Sequence, residues 1–202
     1  MKSTSERILD AAEDLFAEKG YSATSLGDVA DQVGIRSPSL YNHFKNKEAL
    51  YSAVVERLLT KFTATMQGIT QGETNKQRIL EWLETVVRCH HDNPNLARLL
   101  QHAALSGGPQ TNEIIELLFK PLFISDNTSA DREEMMLTLG GPDLQPWVVM
   151  ALNNIVMSYI TMAPMYRDMI GIDPFGSEAL DKQLTLILKL ATAVMSYQET
   201  DQ

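Results

Sequence analysis

The sequence predicts an all-α protein, on three observations. Apolar residues recur at spacings of three and four along most of the 202 residues, no segment alternates in the manner of a half-buried strand, and Gly, Pro and Asn punctuate the chain at helical intervals. A hydrophobic content of 44% supplies enough apolar side chains for a substantial core.

Ser3 and Glu6 have the spacing of a capping box, and Ile8, Ala12, Leu15 and Phe16 then repeat helically, which predicts a first helix over residues 5–19. Gly20-Tyr21-Ser22 reads as a turn. Thr24 or Ser25 caps a short second helix carrying Leu26, Val29, Ala30 and Val33, and Gly34 ends it. Ser37 as N-cap and Pro38 in the first helical position start a third helix, 38–43. Asn46 caps a fourth, whose stripe Leu50, Val54, Leu58 and Phe62 carries it to about Met66. Beyond a polar stretch, helices are expected at 75–91, 95–106 and 111–123, with a short one near 132–139 and two long ones at 144–168 and 177–197. The first of that pair is apolar almost all round, through Val148, Leu152, Ile155, Val156, Tyr159 and Ile160, so it needs cover from a cavity wall or a second subunit as well as its own core. The expected organisation is a head over 1–46, a connecting helix over 47–66 and a larger helical domain over 67–202.

A net charge of −9 excludes a protein that coats nucleic acid through its overall field. The first sixty residues hold 7 Lys/Arg against 9 Asp/Glu, so any nucleic-acid contact has to be local. The single cysteine, Cys89, permits no internal disulfide, the N-terminus lacks a signal-type apolar core, and no run reaches the length of a membrane span; a cytoplasmic protein with no membrane partner is expected. Phosphate loops, nucleophile elbows and paired-His metal motifs are missing from the sequence, so neither enzyme activity nor a cofactor is expected. Cys89-His90-His91 with His102 makes a poor metal site, because adjacent helical residues point about 100° apart.

A short helix, the turn Val33-Gly34-Ile35 and a second short helix have the geometry that presents the second helix to a DNA major groove. In that second helix only Leu40 and Phe44 look anchored in a core, whereas Ser37, Ser39, Tyr41, Asn42 and His43 are costly to bury and therefore face water or a polar partner. Arg36, in the preceding turn, can reach a guanine bidentately or take a phosphate. The run TSLGDVADQVGIRSPSLYNHFKNKEALYSAV resembles the signature of the TetR (tetracycline-repressor) family, most specifically in Leu40-Tyr41, Phe44 and Lys47-Glu48-Ala49-Leu50. The resemblance implies phosphate contacts from Tyr41, His43 and Lys47, base-edge contacts from Ser37, Pro38 and Ser39, and backbone contacts from Thr24 and Ser25. Gly27 departs from the family pattern, in which a long side chain often reaches DNA from helix two.

The same resemblance implies a homodimer on palindromic double-stranded operator DNA, most simply a repressor, released by a small effector held in the C-terminal domain. Eight of the ten methionines lie at 135 or beyond, and an apolar or aromatic effector is expected against Phe119, Trp147, Met150, Asn154, Met157, Tyr159, Met162 and Tyr166. His90, His91 or His102 is a candidate hydrogen-bond partner for it. The competing reading is a helical adaptor that binds protein through the N-terminal surface and selects no DNA sequence.

Overall fold

Ser3 opens α1 (Thr4–Ala23) with a complete capping box: its hydroxyl accepts from the Glu6 amide at 3.2 Å, and Glu6 accepts from the Ser3 amide at 2.6 Å. The computed structural model describes residues 2–67, 75–109, 111–114, 116 and 139–197. Among them the regular elements are helical, and the chain divides into two units, Met1–Lys61 with Asn95–Leu118, and Phe62–Pro94 with Phe119–Gln202. That division assigns Asn95–Leu118 to the N-terminal unit, whereas the sequence reading places it in the larger C-terminal domain.

In the N-terminal unit, α1 extends to Ala23 but breaks at Gly20, whose φ of +77° belongs to the left-handed region. A Cβ there would meet His102 Nδ1 at 2.9 Å, so Gly20 is required both by its backbone and by the ring lying on it. Ser25 caps α2 (Leu26–Val33) in a second capping box with Asp28, and Gly34, at φ +74°, closes it. Arg7 donates to the Val33 carbonyl at 2.6 Å, tying the end of α2 to α1. The third helix, α3 (Ser37–Tyr41), begins one residue earlier than expected. Arg36 occupies the N-cap without a side-chain bond and Ser37 is already helical, so Ser37 is not the cap. Asn46 accepts from the Ala49 amide at 2.7 Å and starts α4 (Lys47–Gln67). Ile8, Ala12, Phe16, Val29, Leu40 and Leu50 are fully buried and form the interior of this head. Arg57 of α4 binds Asp10 at 2.8 Å and Glu13 at 2.5 Å, both on α1. α6 (Pro94–Ser106) adds Asn95, which donates to Asp14 at 2.9 Å. A short α7 (Thr111–Ile114) follows.

The other unit packs α5 (Lys76–Asp92), α8 (Gly141–Thr161) and α10 (Ser177–Tyr197) around a core that includes Leu83, Val87, Leu152, Val156, Leu184 and Ile187. The helix expected over 144–168 is a correction: it is two helices, α8 and α9 (Ala163–Ile170), bent by 67° at Met162. Pro164 is the cause, since proline offers no amide to the carbonyl four residues back and its ring crowds that carbonyl. The cover predicted for α8 is also one-sided. Val148, Val149, Leu152 and Val156 are buried, while Leu144, Trp147, Met150 and Asn154 stand exposed along one stripe. The remainder of the helix expected at 111–123, most of the one near 132–139, and Phe119 lie outside the described residues. Among the described residues no single helix is long and apolar enough to cross a membrane.

Candidate functional site

α3 is a five-residue helix held by one fully buried side chain, Leu40. Around that anchor Arg36, Ser37, Pro38, Ser39, Tyr41, Asn42 and His43 are all exposed, with Tyr41 at 56%. A water-facing cluster of hydroxyl, amide, imidazole and guanidinium groups on so short a helix suits the phosphates and base edges of a groove. The backbone behind it is firm: Gly34 N–H donates to Asp31, Ile35 N–H to Ala30, and the amides of His43 and Phe44 both donate to the Leu40 carbonyl.

Thr24 does not share this surface, which corrects its expected contact. It is 2% exposed, and its hydroxyl donates to the carbonyls of Gly20 (2.9 Å) and Leu15 (3.1 Å), sealing the broken end of α1. Ser25 is exposed, but its hydroxyl donates to Asp28 at 2.8 Å while accepting the Asp28 amide. Those bonds from Ser25, its backbone amide first, hold the Asp28 carboxyl below its ordinary range, so a negative charge sits at the start of α2. Gly27 leaves the neighbouring surface without a side chain.

Lys47 lies elsewhere in chemical terms. Its ammonium donates to the carbonyls of Tyr21 (2.7 Å), Thr24 (2.9 Å) and Ser22 (3.3 Å) and sits 4.4 Å from the centre of the Tyr21 ring. An ammonium has three N–H donors, and all three are occupied by the α1–α2 turn. A phosphate has to displace one of them to bond Lys47. No short-range sequence signal shows this, because the partners lie 23 to 26 residues away.

Among the described residues, the expected effector residues do not come together. Trp147 is 66% exposed, and Met150, Asn154 and Met162 are also exposed. Met157 is half-buried, and Tyr166, likewise half-buried, shares a 2.9 Å hydrogen bond with Ser158. Tyr159 lines a small recess of about 10 Å³ within the C-terminal unit, whose walls include Val87, His91, Val156, Phe175 and Gln183. Sequence reasoning singled out His91 but missed Phe175 and Gln183, which lie beyond the α8–α9 bend. His90, in contrast, is buried, its Nδ1 donating to the Val86 carbonyl at 3.0 Å. His102 lies over Gly20 in the other unit. Among the described residues no group of three or more His, Cys, Asp or Glu side chains is placed to hold a metal ion.

Comparison with known proteins bears on the head most strongly. Residues 8–54 match the family model described as bacterial regulatory proteins, tetR family. Over 86 residues, 42% of this chain and 41% of the relative, the chain is 46% identical to the HTH-type transcriptional repressor ComR of Escherichia coli K12. It is 30% identical over 102 residues to the HTH-type transcriptional regulator RutR of the same strain, covering 50% of this chain and 48% of that one. The matches thus span less than half the length of these relatives. The fold extends further: the ketosteroid transcriptional regulator KstR2 of Mycobacterium tuberculosis superposes with a TM-score of 0.66 at 21% identity, over 94% of this chain and 95% of that one. Residues 8–54, the helix-turn-helix head, are thus similar to the tetR family of bacterial regulatory proteins.

Proposed function

We propose that the chain is a ligand-responsive transcriptional regulator that binds a palindromic operator as a homodimer and represses until a small effector releases it. The observation that carries this reading is α3: a short helix with one buried anchor and an exposed set of polar side chains, positioned by a turn whose Gly34 and Ile35 amides are hydrogen-bonded to α2. The repressor direction is supported by the relative ComR, a repressor by name.

Dimerisation is supported by uncovered apolar side chains in the C-terminal unit. Leu144, Trp147 and Met150 stand out along α8, and Leu186 and Leu190 stand out four apart on α10. Large apolar side chains clustered in this way favour a partner surface. Two linked heads make the second DNA contact effectively intramolecular, which compensates for the few cations on each. The effector acts by its differential affinity for dimers whose heads do and do not match successive major grooves, about 34–36 Å apart.

Selection from a random duplex pool at moderate salt tests the DNA half of this reading. Wild type is expected to enrich a palindrome, and Arg36→Ala/Tyr41→Ala to weaken or lose it. Absence of enrichment, with and without a small-molecule extract, favours the protein-binding adaptor.

A further inference from the structure

The head presents a polar reading surface but holds few cations, and most of these are engaged inside the protein. Of the seven Lys and Arg side chains in the first sixty residues, five have internal work. Lys2 pairs with Asp10, and Arg57 with Asp10 and Glu13. Arg7 donates to the Val33 carbonyl, and Lys47 to the carbonyls of Tyr21, Ser22 and Thr24. Lys19 acts electrostatically on Asp28, adding to the Ser25 bonds that hold that carboxyl low. Arg36 and Lys45 remain. Both are exposed, and among the described residues neither side chain has a hydrogen bond or an ion pair.

Their positions matter as much as their freedom. Arg36 is the N-cap of α3 and Lys45 follows the turn that closes it, so one cation stands at each end of the reading helix. The backbone on both sides of Lys45 is fixed: the amides of His43 and Phe44 donate to the Leu40 carbonyl at 2.9 and 3.0 Å, and Asn46 caps α4 by accepting the Ala49 amide at 2.7 Å. A helix of five residues rises about 7 Å, and long side chains beyond its two ends reach the walls of a major groove about 12 Å wide. Glu48, the acid nearest to Lys45 in sequence, is exposed and makes no ion pair with it among the described residues. Following directly on Tyr41, Asn42 and His43, the Lys45 ammonium has no internal bond to give up when it meets a phosphate, whereas Lys47 has to exchange one.

Resting on the DNA-binding, dimeric reading above, we propose that Lys45 bonds an operator phosphate, one in each subunit of the dimer. Such a contact neutralises a phosphate charge and reads no base, so its signature lies in the salt dependence of binding. The operator duplex that the wild type selects is titrated with the full chain by fluorescence anisotropy over a range of KCl concentrations. Losing one contact from each of two heads is expected to flatten the slope of log K against log[KCl] by about 1.8 in Lys45→Gln. The gap in affinity between wild type and variant then narrows about sevenfold from about 0.1 to about 0.3 M KCl. Lys45→Gln is expected to select the same palindrome and to keep the wild-type thermal midpoint, and Lys45→Arg to restore the slope. Lys182→Gln removes an equal charge from α10, where Lys182 pairs with Glu178, and is expected to keep the wild-type slope.

An unchanged slope in Lys45→Gln, an equal flattening in Lys182→Gln, or a changed palindrome overturns the proposal. An operator enriched by the wild type, with a slope that Lys45→Gln does not move, removes this inference and leaves the regulator. Failure of the wild type to enrich any operator removes both.

Discussion

Tyr41 and Lys47 carry the same expectation in sequence and different work in the structure. Tyr41 projects from the head, so Tyr41→Ala is expected to change stability by less than about 0.5 kcal/mol while weakening DNA binding. Lys47 clamps three carbonyls, and Lys47→Ala is expected to cost the fold about 2–3 kcal/mol even without DNA, as read by chemical denaturation. Equal stability of the two variants would contradict the clamp. His90 adds a pH dependence. Burial pushes its imidazole below the ordinary range, partly offset by the bond to Val86. The unfolded chain therefore takes up a proton that the folded chain resists. The stability associated with His90 is fully present above the unfolded pKa of about 6.5 and falls as pH drops below it, by up to about 1.4 kcal/mol per pH unit. The carboxyls of Asp10 and Asp28, held low by their hydrogen bonds, act only below about pH 4. His90→Phe is expected to flatten the slope between about pH 5 and 6.5, and an unchanged slope would assign it to another group.

At the scale of elements, the sequence was most legible where a helix boundary is encoded locally. Ser3 with Glu6, Ser25 with Asp28, Gly34 and Asn46 all act at helix ends within a turn of their partners. The α8–α9 bend was equally local, because Pro164 announces it, but the apolar run on both sides of that proline masked the break. Pairings between distant segments were not legible: Thr24 beneath α1, Lys47 against the α1–α2 turn, and His102 on Gly20 depend on how helices pack. The same distance explains the dispersal of the expected effector residues, since the bend separates Tyr166 from the pocket-lining Tyr159 and the return to α10 brings in Gln183. Two of the left-handed glycines, Gly20 and Gly34, give a test. A Cβ at Gly34 meets nothing within 4 Å, so Gly34→Ala costs only its backbone term, about 1 kcal/mol. Gly20→Ala adds the clash with His102 and is expected to cost more. In a Gly20→Ala/His102→Ala double mutant the combined loss should fall short of the sum, and strict additivity would show that the ring does not set the constraint.

For the whole molecule, the head carries the likeness to the tetR family, over residues 8–54. In the proposed dimer the exposed apolar side chains of α8 and α10 form the interface, so Trp147→Glu/Leu186→Glu is expected to convert it to a folded monomer in sedimentation, with helix content retained by circular dichroism. A wild-type monomer at micromolar concentration would remove the symmetric-operator account. The most direct test of the central claim is the duplex-DNA selection with wild type beside Arg36→Ala/Tyr41→Ala. A palindrome enriched by the wild type and weakened or lost in the folded variant is the predicted result. Failure of the wild type to enrich any sequence, or equal enrichment by both proteins, would contradict α3 as the reading surface.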